Sequence, residues 1–218
     1  MLPAGRAAMV ASFLHTVCTA DPKHPRGRIA SLYYDTLDLS LLADKVDSQY
    51  LKTKVRVRWY EESRSGEPQG LAFAEIKYRI GSRREKVHRE IPVEAAWLAR
   101  QPLESGAVAV LPDHLGLHGH RLPRPLVAAL VVRYHRERFV EHHSGARVAL
   151  DTSIAPGAAH PRILRGGYRR PLGVAVLEVK STDRRLPALL RPLVALGCRQ
   201  TSFSKYGACM IEAGAEAA

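Results

Sequence analysis

Residues 51–60 read LKTKVRVRWY, and the alternation in that stretch constrains the fold more than any other feature of the chain. Side chains of a β-strand point to opposite faces in turn. Lys52, Lys54, Arg56 and Arg58 therefore share one face, and Val55, Val57 and Trp59 share the other. The same inversion recurs downstream. Phe73, Glu75, Lys77 and Arg79 form one same-face set, and Tyr134, Arg136 and Arg138 another. Arg147, Ala149 and Asp151 follow, then Val176, Glu178 and Lys180. The opposite faces carry Ala74, Ile76, Val148, Leu150, Leu177 and Val179. One such strand is an ordinary half-buried strand with a solvated face. Five of them carry Arg, Lys and Glu where solvated faces would also show Ser, Thr, Gln and Asn.

Helices can cover the apolar faces of such a sheet. If the sheet then closes, the charged faces line a lumen. Removing an unpaired ion from water costs several kcal/mol even after relaxation, and a whole domain is stable by only about 5–15 kcal/mol. A lumen of this kind must be wet, partly neutralised by Glu75, Asp151 and Glu178, and filled in use by an anion. A dense anion fits best, which points to linked phosphates: Arg grips phosphate oxygens bidentately and Lys supplies a point charge.

Composition agrees. The chain has 218 residues, with 33 Lys and Arg against 21 Asp and Glu, a net charge of +12. Such a surplus usually meets nucleic acid, an acidic membrane surface or phosphorylated ligands. Aromatics make up only 6% and do not interleave with the basic runs, which counts against a base-stacking surface and against a nucleic-acid partner. Three scattered cysteines, Cys18, Cys198 and Cys209, form no metal-binding spacing and read as reduced thiols in a cytoplasmic protein. No run of 18 apolar residues exists to span a membrane. The N-terminal stretch imitates a signal peptide, but Ser12 and His15 interrupt it, so it reads as an amphipathic helix.

Along the chain, residues 5–18 have helical spacing, and 28–36, 51–60, 71–80, 86–93, 131–143, 146–154 and 173–181 have strand character. Short helices are expected within 37–48, over 92–105 with Pro92 at the start, and over 183–197 with Gly197 as C-cap. Residues 61–70, 106–125 and 155–173 read as turns and loops. No linker divides the chain, so residues 1–218 are expected to form one α+β domain.

Seven short motifs now stand in order: SLYYDT (31–36), KVRVRWY (54–60), EIK (75–77), YHRERF (134–139), RVALDT (147–152), LEVKS (177–181) and SFSKYG (202–207). In this order they resemble VTC domains, the polyphosphate polymerases of the triphosphate tunnel (CYTH-like) metalloenzyme fold, over about residues 28–210. The resemblance implies an antiparallel β tunnel barrel with helices outside. It also implies ATP or another nucleoside triphosphate as substrate, Mn²⁺ or Mg²⁺ as cofactor, and inorganic polyphosphate as product. By motif position, Arg56 and Arg58 resemble the paired tunnel arginines and Lys77 the lysine of the next strand. Tyr134 and Arg136 resemble the Tyr-x-Arg motif, and Arg147 the arginine before the aspartate. Glu178 resembles the metal-binding glutamate, and Lys180 and Lys205 the late lysines. Lys86 and Arg89 match a basic pair after the Glu-x-Lys strand, and Glu75 a carboxylate that either holds metal or pairs with neighbouring cations. The family also opens with a strand close to Arg-x-Glu-x-Lys-Tyr. No such motif precedes Arg6, so a barrel lacking its first strand is the expectation.

Other tunnel enzymes, a triphosphatase or a CYTH-type cyclase, remain alternatives, as does a non-catalytic module that binds polyphosphate or nucleotide. No P-loop pattern and no GxGxxG are present. His114, His118 and His120 read as a solvated loop, and His142 and His143 as a hairpin turn.

Overall fold

The computed structural model describes residues 1–46, 51–81, 83–115, 122, 125–164, 170–183 and 185–215. The chain runs β1 (Leu2–Pro3), α1 (Ala7–Val17), β2 (Cys18–Ala20), β3 (Arg26–Asp35), α2 (Ser40–Val46), β4 (Leu51–Glu61), β5 (Pro68–Ile80) and β6 (Arg83–Glu94). It continues through α3 (Ala95–Leu98), α4 (Gly106–Ala109), β7 (Val127–Glu141), β8 (Arg147–Ala159), β9 (Val174–Lys180) and α5 (Lys205–Ala215). The strands form one antiparallel sheet in the order β1-β9-β8-β7-β3-β4-β5-β6, with β2 also paired to β7. The α+β class is therefore as the alternation suggests.

Closure is not observed. Among the described residues no ladder joins β6 to β9, and the outer edge of β9 pairs with β1 only at Ala175 and Val174. The sheet is open along that seam, so the tunnel barrel expected to lack its first strand appears as an open sheet with one charged face.

The apolar face of β3–β6 is filled by Leu32, Val57, Trp59, Ala74 and Ile76, and covered by Leu98 of α3 and Val108 of α4. The Tyr34 hydroxyl, at the edge of this core, donates to the Val108 carbonyl at 2.7 Å. On β7–β9, Phe139, Val148 and Leu150 pack against Val10 and Leu14 of α1 and against Leu190 and Leu193. The Leu stripe of residues 183–197 thus packs on the sheet, as a covering helix should.

Two helical expectations change in form. Pro92 lies inside β6, an edge strand, where a missing N–H is tolerated. The strand takes that residue because Ile91 sits opposite Ala72 and is fully buried, and only α3 and α4 follow. Residues 188–194 form a 3-10 helix with Pro192 inside, since proline removes a helical donor. Gly197 after it adopts φ +88°, the left-handed C-cap geometry expected of it. The chain's last motif, SFSKYG, runs into α5. Its Tyr206, Cys209 and Met210 form a further core with Ile29, Tyr33, Val132 and Tyr134.

Candidate functional site

The inward side chains of β4 meet those of β5 and β6 in register. Arg56 lies opposite Glu75, and Glu75 opposite His88. This row is neutralised. Arg56 donates to Glu75 Oε2 through Nε at 2.9 Å and Nη2 at 2.5 Å, and Arg58 Nη1 lies 3.2 Å from Oε1. Burial alone would raise the Glu75 carboxyl, but Arg56 and Arg58 outweigh it and hold the group down at about 2. Glu75 is 1% exposed and acts as an ion-pair partner, as the pairing alternative for it required.

The next two rows are different. Lys54 faces Lys77, which faces Lys86, and Lys52 faces Arg79, which faces Arg84. Like charges directly opposite on a sheet repel. Burial and then the Arg56 charge lower the Lys77 ammonium pKa below its ordinary value.

Across the groove, Arg136 of β7 grips Asp151 of β8 bidentately, Nε to Oδ1 at 2.5 Å and Nη2 to Oδ2 at 2.7 Å. Lys205 Nζ, at the start of α5, lies 2.6 Å from Asp151 Oδ2. Burial opposes ionisation of Asp151, but Arg136 and Lys205 hold its pKa below the usual range. Tyr134 lies beneath both cations, with Lys205 Nζ 4.9 Å and the Arg136 guanidinium 5.4 Å from its ring centre. Glu178 of β9 stands 3.6 Å from Lys180 Nζ and 3.9 Å from Arg136 Nη2, with its side chain 44% exposed.

Helix α5 supplies the remaining wall. Ser204 Oγ accepts the Gly207 amide at 3.3 Å, as an N-cap does, and also accepts Lys54 Nζ at 3.3 Å. Tyr206 stacks on Tyr33, centroids 5.0 Å apart, and donates to buried Asp35 at 3.0 Å. The Tyr33 hydroxyl accepts Arg56 Nη1 at 3.3 Å. Burial would raise its pKa, yet Arg56, Lys54 and Lys205 together bring it down to about 8.

These groups enclose a cavity of about 540 Å³, lined by eleven Lys and Arg side chains and by Glu85 and Glu178. Arg56, Arg58, Lys77, Lys86, Tyr134, Arg136, Glu178, Lys180 and Lys205 all line it, with Glu75 behind them. Two expected residues do not. Arg89 sits opposite Ala74, on the apolar face of the sheet, and donates to the His114 carbonyl at 3.0 Å. Arg147 is exposed at the start of β8, opposite Lys180 but outside the cavity lining. Tyr33, Arg84, Ser204, Lys52 and Lys54, which no motif singled out as site residues, also line the cavity. For Tyr33 the signal was there, since Ile29, Ser31 and Tyr33 alternate with the core residues Ala30, Leu32 and Tyr34. His118 and His120 lie outside the described residues. Among the described residues no three His, Cys, Asp or Glu cluster as a metal site, and no helix is long and apolar enough to cross a membrane.

The family model of the VTC domain matches residues 6–212, nearly the whole chain. The chain belongs to the VTC domain family. No curated protein matches the sequence. A VTC domain is associated with phosphate transfer and polyphosphate, and the basic groove of this one suits a substrate built of phosphates.

Proposed function

We propose that this VTC domain is an ATP-dependent polyphosphate polymerase that lays its phosphate chain along the groove. The observation that carries this reading is the pair of like-charged rows, Lys54–Lys77–Lys86 and Lys52–Arg79–Arg84. Cations gathered in opposed rows across three strands present a continuous positive face that suits a linear polyanion.

Phosphoryl transfer asks a protein mainly for positioning and charge neutralisation. Glu75 and Asp151 hold Arg56, Arg58 and Arg136 in place along the groove. Those three, with Lys77, Lys180 and Lys205, would grip the triphosphate and the chain end. An oxygen of the terminal acceptor phosphate attacks the γ-phosphorus. The bond to the β,γ-bridging oxygen breaks and ADP leaves. The attacking oxygen is already ionised, so no side-chain base is required. Glu178 is the residue that would hold Mg²⁺ or Mn²⁺. One half-exposed carboxylate lining the cavity, completed by phosphate oxygens, is the usual coordination of Mg²⁺. When bound, the ion neutralises charge on the phosphate oxygens.

The open seam between β6 and β9 favours one alternative, a module that binds polyphosphate or nucleotide without turnover. Incubation with ATP and Mn²⁺ followed by gel electrophoresis separates the readings. Long phosphate polymers are expected. Free phosphate would mean a triphosphatase, cyclic nucleotide a cyclase, and binding without products the module. Glu178→Ala should abolish metal-dependent turnover while leaving the circular dichroism and melting curve unchanged. Full activity in that variant refutes the metal assignment.

A further inference from the structure

A second cavity, of about 470 Å³, lies between the β4–β5 hairpin, β3, β7 and the later half of β8. Arg28 and Arg133 enter it from neighbouring strands. Arg133 and His135 flank Tyr134 in β7, so strand alternation turns them away from the groove that Tyr134 lines. Glu61, 4% exposed, sits behind the two arginines. Its Oε1 accepts Arg133 Nε at 3.0 Å and Trp59 Nε1 at 3.3 Å, and its Oε2 lies 3.0 Å from Arg28 Nε.

Both guanidinium groups are therefore held by one edge, at Nε. Their Nη nitrogens have no hydrogen-bond partner among the described residues. The backbone leaves room for them. A Cβ on Gly66 would stand 2.7 Å from Arg28 Nη1, and one on Gly157 would stand 2.6 Å from Arg133 Nη1. Two guanidinium groups against one carboxylate leave a surplus positive charge. Burial and the Arg28 charge lower the His135 pKa, so the imidazole is neutral at neutral pH and adds none. A carboxylate ligand has two oxygens, which a single guanidinium fork satisfies. A tetrahedral oxyanion has enough oxygens for two forks arriving from different strands. The hydroxyls of Ser65 and Ser153 line the same cavity and add donors.

We propose that this cavity is a second anion site, which holds a phosphate oxyanion between Arg28 and Arg133, either as free inorganic phosphate or as the end of a phosphate chain. The site is independent of the polymerase reading, because it lies on the other face of the sheet and shares no charged side chain with the groove.

Crystals soaked in arsenate, a phosphate surrogate visible by anomalous scattering, test the location. A peak between the Arg28 and Arg133 guanidinium groups is expected, and peaks confined to the groove overturn the proposal. Calorimetric titration with inorganic phosphate then compares the wild type with the double variant Arg28→Lys, Arg133→Lys. Lysines keep two cations beside Glu61 and remove only the forks, and a melting curve checks the fold. At least a tenfold loss of affinity at one of two sites is expected, while the site weakened by Lys77→Gln persists. A phosphate isotherm unchanged in the double variant overturns the proposal. Should the double variant fail to fold, the arsenate map alone decides. Tighter binding of tripolyphosphate than of phosphate at this site identifies a chain end, and equal binding identifies the free ion.

Discussion

Glu75 holds two of the groove's arginines, and its removal would leave both buried cations without their counter-ion. Breaking a buried pair from one side costs about 3–5 kcal/mol, so Glu75→Ala should lower unfolding stability by that order in urea titration. The pH dependence has a definite sign. The folded Glu75 carboxyl titrates at about 2, below its ordinary 4.5, because Arg56 and Arg58 overcome the effect of burial. Its contribution is complete above the unfolded pKa and is lost as pH falls from about 4.5 toward 2. Asp151, held down by Arg136 and Lys205, acts in the same direction. Urea midpoints measured from pH 6 downward should fall across that acid window, and fall less steeply in Glu75→Gln. Equal slopes would show that the Glu75 pairing is not linked to folding. Both carboxylates were legible as ion-pair partners because each falls on the same alternating face as the cations. Arg89 misled because its motif position suggested the groove. Counting alternation from Val87 and Ile91, which pack toward the core, places Lys86 and His88 inward and Arg89 outward.

Among the elements, β4 and β5 were readable because their alternation is unbroken, and α1 because its apolar residues recur at helical spacing. Helix α5 was not, although Tyr206, Cys209, Met210 and Ala213 bury one stripe at three- and four-residue intervals. Gly207, Gly214 and the opening Ser-Lys-Tyr motif hid that period. A barrel short of one strand was expected, but the place where it opens, between β6 and β9, was not legible, since pairing at sheet edges depends on tertiary placement rather than on alternation. Helix α5 couples fold to site through Ser204, which both caps it and accepts Lys54. Ser204→Ala should cost about 1 kcal/mol, the usual worth of an N-cap, as a lower urea midpoint. Ser204→Asp keeps an N-cap oxygen and a partner for Lys54, so stability should be retained. The added negative charge lines the anion cavity, so affinity for tripolyphosphate should fall. If the two variants lose stability alike, the cap assignment is wrong.

At the scale of the whole molecule, the chain carries a net charge of +12, and eleven of its 33 Lys and Arg line one groove. Buried carboxylates neutralise Arg56, Arg58 and Arg136 from behind, while the lysine rows face solvent. An anion in the groove would add to the neutralisation that those carboxylates give. A ligand that binds only the folded state at a hundred times its dissociation constant stabilises by about 2.7 kcal/mol. For a domain of this size that is a rise in melting temperature of roughly 5–10 °C. Tripolyphosphate should deliver a shift of this order, and sodium chloride at equal ionic strength should not, because separated ions screen charge but do not span several cations at once. The shift should shrink as salt is added, since exposed lysine contacts are screened over about 8 Å at physiological ionic strength. Lys77→Gln, which removes the central member of one row, should reduce the tripolyphosphate shift and raise the melting temperature of the free protein by relieving repulsion. A variant that lowered both would mean that Lys77 holds the fold together, and that the row is an ordinary solvated face after all.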